Sequence, residues 1–185
     1  RRGDARDVAV RGPPFAPGEA ALSLDGVDGM VDLGTDARLF AGGGSFTLES
    51  WIKVEAADIA SKHAQIFTIG ADATVERADF RVNSGTGELL FTTYGGSPST
   101  TSGVSVADGT WKHVAVVFDA QTLTAQLYID GQATGTAQSY AGHAPNISSA
   151  GVAYLGHAPN GASYFEGLLS EARIWGGARS AAEIA

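Results

Sequence analysis

Apolar and polar residues alternate with a period of two over most of the chain. In the segment FTLESWIKV, one face carries Phe46, Leu48, Ser50, Ile52 and Val54. This period is that of a β-strand, because successive side chains of a strand point to opposite faces of a sheet. Gly, Asn, Asp or Pro bounds most of these segments, and together they predict about a dozen short strands. The other segments are ALSLDG, GMVDLG, AQIFTIG, ADFRVNSG, ELLFTTYGG, WKHVAVVFD, LTAQLYIDG, GVAYLGH and SYFEGLLSEARIWGG.

Helical patterns are few and short. ARSAAEIA (178–185) predicts a terminal helical turn with Ser180 as its N-cap, and ARLFAG (37–42) predicts one turn at most. No Pro-rich linker, low-complexity tract or strong internal repeat divides the chain. The prediction is one all-β domain over residues 1–185, folded as a two-sheet antiparallel β-sandwich with a short C-terminal helical turn.

Composition and charge exclude several classes of function. The net charge is −8 and the 12 Lys and Arg residues are scattered, so no basic patch is expected to bind nucleic acid. No apolar run approaches the ~20 residues of a membrane helix, and the first residues lack the apolar core of a signal peptide. The chain has no Cys, which excludes disulfides, a thiolate nucleophile and Cys-based zinc sites.

Four segments, in order, resemble the laminin-G-like (concanavalin A-like) jelly-roll domains of bacterial surface and secreted proteins and of pentraxin relatives. They are ALSLDGVDGMVDLG, GGSFTLESWIK, WKHVAVVFDAQTLTAQLYIDGQ and YFEGLLSEARIWGGARSAAEI. The resemblance spans almost the whole chain and implies a jelly-roll module of a longer protein, extracellular or at the cell surface, with other domains beside it. It does not fix the function, because this fold hosts lectins, adhesins, carbohydrate modules and glycoside hydrolases.

A glycoside hydrolase is disfavoured by the strand that begins at Phe46. The β-glucanases of this fold carry carboxylates at alternating positions of one strand, and the retaining reaction needs two carboxyl groups ~5 Å apart. Here Glu49 is followed on its own face by Trp51 and Lys53. We therefore expect no enzyme, and Glu49 is expected to bind the backbone or a cation such as Lys53 or Lys112.

The hairpin WKHVAVVFDAQTLTAQLYIDGQ raises a similar question, because it carries His113, Asp119 and Asp130. The whole hairpin resembles the framework of the family. His113 is accordingly interpreted as a partly buried scaffold histidine, not as a catalytic base.

Calcium is the cofactor that the resemblance suggests, since many laminin-G and pentraxin relatives bind it at the rim of the sandwich. The segment LDGVDGMVDLGTD concentrates carboxylates, and calcium prefers several carboxylate and carbonyl oxygens. The best candidate ligands are Asp25 and Asp28. The alternative is that these residues serve only their turns, as aspartate often does.

Carbohydrate binding needs aromatic rings and polar side chains in loops above a rigid sheet. The candidate ligand-binding residues are Tyr94, Tyr140, His143, His157, Asn160 and Tyr164. The pentapeptide GHAPN occurs at both 142–146 and 156–160, either as two recognition loops or as turn chemistry used twice. We expect a non-catalytic recognition module that binds carbohydrate or a protein partner through rim loops. The alternative is a structural or assembly spacer without a soluble ligand.

Overall fold

The computed structural model describes residues 6–8, 20–34, 44–70, 77–93, 98–145, 153–159 and 163–184. These residues form strands and one short helix, and no helix among them is long and apolar enough to cross a membrane. The elements are β1 (Arg6–Val8), β2 (Ala21–Asp25), β3 (Val31–Asp32), β4 (Phe46–Lys53), β5 (Ala64–Ile69), β6 (Ala78–Val82), β7 (Glu88–Thr93), β8 (Ser99–Ser105), β9 (Lys112–Asp119), β10 (Thr124–Ile129), β11 (Gln132–Ser139), β12 (Ala153–Leu155), β13 (Glu166–Trp175) and α1 (Ala181–Ile184).

Two antiparallel sheets form the sandwich. The seven-stranded sheet has the order β1-β2-β13-β4-β9-β10-β11, and the six-stranded sheet has the order β3-β12-β5-β6-β7-β8. Among the described strands, five of the eleven neighbouring pairs are distant in sequence, such as β4 with β9 and β4 with β13, as in a jelly roll. The predicted all-β sandwich is confirmed. The helix predicted near residue 180 is also present as α1, and its Ile184 packs against Ala115, Val117 and Tyr128 on the outer face of the seven-stranded sheet.

The core lies between the two inner faces and is rich in aromatic rings. The alternation predicted for β4 is confirmed, because its apolar residues are buried in the core. Phe46 of β4 and Phe118 of β9 stack with ring centroids 5.3 Å apart, and Phe46 also meets Phe91 of the other sheet at 6.1 Å. Burial of each such side chain contributes roughly 1.5–3 kcal/mol, so these contacts hold the sheets together.

A β-bulge in β13 changes which side chains face outward. Glu171 and Ala172 lie opposite the single residue Ser50 of β4, and Glu171 has a φ of 48°. Uninterrupted alternation through the bulge would turn Arg173 and Trp175 toward the core. The extra residue instead places both of them on the outer face of the seven-stranded sheet, which alternation alone does not predict.

An Asp-Gly turn joins β10 and β11. Asp130 and Gly131 have φ values of 49° and 75°, as the two central residues of a type I′ turn require. The Asp130 carboxylate accepts a hydrogen bond from the backbone N–H of His113 at 2.9 Å. The turn is therefore tied to β9, and the hairpin acts as framework at this point.

Candidate ligand-binding face

The outer face of the six-stranded sheet carries a row of polar side chains in register. Tyr154 of β12 lies opposite Thr68 of β5, Thr68 opposite Asp79 of β6, and Asp79 opposite Thr92 of β7. The neighbours of these residues along each strand are core residues, so strand alternation directs the row outward. This row is the base of the candidate site.

Asp79 is the centre of a buried hydrogen-bond network. Its Oδ1 accepts from Thr68 Oγ1 at 3.0 Å and from Gln65 Nε2 at 3.2 Å, and its Oδ2 lies 2.9 Å from Nε of Arg77. Asp79 is only 2% exposed. A buried carboxylate is stable only when it is paired and hydrogen-bonded, so this network fixes Arg77 at the sheet surface.

Next to the network, two polar atoms lack hydrogen-bond partners. Arg81 of β6 lies directly opposite Gln65 of β5. Arg81 Nε and Gln65 Oε1 are buried and form no hydrogen bond with the described residues. Burial lowers the pKa of Arg81, and the negative charge of its neighbour Asp79 acts in the opposite direction. Buried polar atoms are usually satisfied, so an unpaired guanidinium donor beside an unpaired amide acceptor needs an explanation.

Aromatic rings lie on the same face, beside β5. His157 and Tyr164 pair in an isolated β-bridge, and their rings stack with centroids 4.4 Å apart. Tyr154 meets the His157 ring edge-on at 5.4 Å. The backbone N–H of Gly156 donates to the carbonyl of Ile66 at 2.9 Å, which holds this segment against β5. The aromatic group thus lies about two strand spacings, or ~10 Å, from β6.

His157 is largely buried, and the two tyrosines are half-buried. Burial lowers the pKa of His157, so its imidazole is neutral at pH 7. The neutral imidazole stacks on Tyr164, and its Nδ1 is buried without a hydrogen-bond partner among the described residues. We name Tyr154, His157 and Tyr164 the aromatic cluster.

The structure brings together two of the six predicted ligand-binding residues, His157 and Tyr164. The expectation that Tyr140 is exposed in a loop is wrong: it is fully buried, and its hydroxyl bonds the carbonyl of Phe91 at 2.9 Å. His143 is exposed in a turn after β11. Tyr94 and Asn160 lie outside the described residues. The two GHAPN histidines therefore differ in burial, although their sequence context is the same.

The turn after β2 holds a lysine ammonium close to Asp25, one of the two candidate calcium ligands. Asp25 Oδ1 accepts the backbone N–H groups of Val27 and Asp28 at 2.9 and 3.4 Å, and these bonds lower the pKa of Asp25. The Lys62 ammonium donates to the carbonyl of Gly26 at 2.8 Å. An ammonium group thus already binds a carbonyl oxygen of this turn, and calcium would compete with it for that oxygen. Within the described ranges, no three acidic, His or Cys side chains are grouped to hold a metal.

Glu49 has partners other than the predicted lysines. Its Oε1 accepts from Trp175 Nε1 at 3.1 Å and from Arg173 Nη1 at 3.4 Å. Lys112 instead pairs with Asp108 at 3.3 Å. The expected cation partner is present, but it is Arg173 and not a lysine, because the bulge in β13, which alternation does not reveal, turns Arg173 and Trp175 outward.

Sequence reasoning also missed residues of the candidate site. Arg77, Asp79 and Arg81 alternate with the apolar residues of ADFRV, so the period of two already places them on one face. The hydrogen bonds from β5 to Asp79 depend on strand order, which the local pattern does not contain. Tyr154 was missed for the same reason.

The architecture defines a concanavalin A-like β-sandwich. A laminin-G family described as the concanavalin A-like lectin/glucanases superfamily matches residues 25–185, and the chain belongs to this family. No curated protein sequence matches the chain closely enough to indicate a relative.

Solved structures of low sequence identity share this fold. The CBM40 of a Ruminococcus gnavus sialidase, bound to α2,3 sialyllactose, has a TM-score of 0.69 and 12% identity, covering 89% of this chain and 94% of that chain. A pentraxin from Limulus polyphemus has a TM-score of 0.55 and 17% identity, with 98% and 82% covered. Domains LG4-5 of the mouse laminin α1 chain have a TM-score of 0.65 and 14% identity, with 94% and 46% covered.

Proposed function

We propose that this domain is a carbohydrate-binding module that holds a glycan against the outer face of the six-stranded sheet. The observation that carries the proposal is the stacked pair of His157 and Tyr164 on the sheet face that also carries Arg77 and Arg81. This stacked pair lies against a sheet, and a rigid sheet orients binding groups more precisely than a loop does.

The aromatic cluster suits a sugar ring. The C–H groups of a pyranose face are apolar, and they pack on aromatic rings whose polar tips hydrogen-bond the adjacent hydroxyls. Tyr154 and Tyr164 retain exposed surface for such a contact. The stacking on His157 restricts the Tyr164 ring before a ligand arrives, which lowers the entropy cost of binding.

The arginines favour a glycan that carries a carboxylate. Asp79 is engaged by Arg77, Gln65 and Thr68, which leaves Nε of Arg81 without an acceptor among the described residues. A guanidinium binds a carboxylate through two parallel hydrogen bonds. The sialyllactose bound to the Ruminococcus gnavus module, which has the same fold, is a glycan of this type.

The domain acts without catalysis, as a module of a longer secreted or surface protein, and loops at the rim of the sheet contribute to glycan selection. Support comes from the Ruminococcus gnavus module, which is part of a sialidase.

The experiment is a glycan array followed by calorimetry with sialyllactose and lactose. We expect acidic glycans to bind and sialyllactose to bind at least about tenfold more tightly than lactose. Arg81→Gln is expected to remove this preference. Lys112→Gln, a matched loss of one positive charge on the other sheet, is expected to keep it. An empty array, or equal binding by wild type and Arg81→Gln, would contradict the proposal.

A further inference from the structure

A second pocket lies on the opposite side of the sandwich, on the outer face of the seven-stranded sheet. Its volume is about 380 Å³. Glu49 and Trp51 of β4, His113 of β9, Arg173 of β13 and Glu183 of α1 line it. This volume is at the lower end of the range of ligand pockets, roughly 300–1,000 Å³, so it suits a small molecule. It is not part of the proposed glycan site.

Glu49 lines this pocket, and its Oε2 oxygen forms no hydrogen bond with the described residues. The residue is 4% exposed, and its Oε1 accepts from Trp175 and Arg173. Its Oε2 lies 3.9 Å from Nε2 of His113. That distance is too long for a hydrogen bond. A nine-tenths buried carboxylate thus keeps one free acceptor oxygen in the lining of a pocket.

His113 is the second buried polar group of the pocket. It is 8% exposed, and its imidazole makes no hydrogen bond with the described residues. Burial lowers the pKa of His113, although the charge of the neighbouring Glu49 acts in the opposite direction. Because the pKa is lowered, the ring is neutral at pH 7. A neutral imidazole has one nitrogen that accepts a hydrogen bond. The Trp51 ring lies beside it, with centroids 5.4 Å apart.

The charges around the pocket are mostly negative. Arg173 bonds the carboxylates of both Glu49 and Glu171, so a single guanidinium is shared between two acids. Asp130 adds a third carboxylate from the β10–β11 turn. Glu183 is balanced by Arg179, 3.9 Å away. The pocket therefore repels anions and attracts a cation.

We propose that this pocket binds a primary ammonium group on a small hydroxylated molecule of the size of one amino sugar. An ammonium has three donors and no acceptor, which matches the free oxygen of Glu49 and the acceptor nitrogen of His113. The hydroxyls of the ligand meet the carboxylates of Asp130 and Glu171.

The test compares three ligands by calorimetry with the wild-type protein. Glucosamine carries the ammonium, glucose replaces it with a hydroxyl, and N-acetylglucosamine replaces it with a neutral amide. We expect glucosamine to bind at least about tenfold more tightly than either of the others. Equal binding of the three, or no binding of glucosamine, would overturn the proposal without any variant.

A variant then locates the site. Glu49→Gln keeps the shape of the side chain and removes its charge, and we expect it to weaken glucosamine binding about tenfold or more. Glu55→Gln, an exposed carboxylate elsewhere, is the matched control and is expected to bind as the wild type does. Unchanged glucosamine binding by a folded Glu49→Gln variant would contradict the assignment. Sialyllactose binding, on the other sheet, is expected to be the same in both variants.

Discussion

Arg77 and Asp79 form an ion pair on the outer face of the six-stranded sheet, with Nε and Oδ2 2.9 Å apart. The pair is almost fully buried, because the side chain of Asp79 is 2% exposed and that of Arg77 is 12% exposed. Thr68 and Gln65 complete the hydrogen bonds of the carboxylate. Removal of Asp79 therefore takes away the ion-pair partner at Nε of Arg77 and the acceptor of the Thr68 hydroxyl.

Asp79→Ala is expected to lower the free energy of unfolding by about 3–5 kcal/mol, the usual cost of breaking a buried pair. Urea unfolding at neutral pH measures this loss. Asp108→Ala is the control, because Asp108 is exposed and pairs with Lys112, and its expected loss is about 1 kcal/mol or less. Equal losses in the two variants would mean that the network around Asp79 contributes no special stability.

Tyr140 closes the core between the two sheets. Its hydroxyl bonds the carbonyl of Phe91 and the hydroxyl of Thr100, and its ring meets Phe91 and Phe118. Tyr140→Phe keeps the ring but leaves a buried carbonyl without its donor. We expect it to cost about 1–3 kcal/mol in urea unfolding. A loss below a few tenths of a kcal/mol would show that the two hydrogen bonds add little.

The same tyrosine predicts a loss of stability at alkaline pH. Burial raises the pKa of Tyr140 to about 12 from an ordinary value of 10.0. Between these values the unfolded chain loses the phenolic proton while the folded protein keeps it, so stability falls as pH rises. Tyr140→Phe is expected to lack this part of the alkaline loss. Parallel stability curves for wild type and variant across this range would contradict the assignment.

Histidine burial predicts a separate loss of stability on the acidic side. Burial lowers the pKa values of His63, His113 and His157 below their ordinary value of 6.5. Below that value the unfolded chain takes up protons that the folded protein resists, so stability falls as pH decreases from about 6.5 toward the folded pKa values.

Urea unfolding at pH of about 7.5 and about 5 measures this loss. His157→Gln is expected to lose less stability between the two values than the wild type does. His143→Gln is the control, because His143 is exposed, and it is expected to behave as the wild type does. Constant stability of the wild type over this range would contradict the prediction. Acidic residues with lowered pKa values, such as Asp25, change the pH dependence of stability only below about pH 4.

Calcium is expected to leave the melting temperature unchanged. Lys62 already donates to the Gly26 carbonyl and pairs with Glu166 at 2.9 Å, so an ammonium holds this turn. Thermal melts in EDTA and in millimolar calcium test this, because an ion that binds only the folded state raises its stability. A rise of several degrees with calcium that is lost in Asp25→Asn would instead indicate a calcium site at Asp25.

The strand pattern predicted much of the fold, since β4 has the inward and outward residues that its alternation requires. Alternation fails at β13, because a bulge adds one residue and turns Arg173 and Trp175 outward. Local patterns also do not reveal contacts between distant strands. In the sequence, Tyr140 comes directly after a strand, where a loop residue is expected. Its hydroxyl nevertheless bonds the carbonyl of Phe91, 49 positions earlier in the chain.

The candidate site shows the same limit. His157 and Tyr164 were found from their polar, turn-rich context, and their stacking depends on a bridge that closes a short loop. Arg81 was available from alternation but became informative only when strand order placed it opposite Gln65. An unpaired buried atom is a property of the packed structure, and no sequence pattern contains it.

The central claim is that glycans bind at the aromatic cluster. Calorimetric titration of sialyllactose into Tyr164→Ala tests it most directly, with Tyr128→Ala on the other sheet as the control. We predict that the wild type and Tyr128→Ala bind alike and that Tyr164→Ala loses about tenfold or more in affinity. Binding by a folded Tyr164→Ala that equals the wild type would contradict the claim.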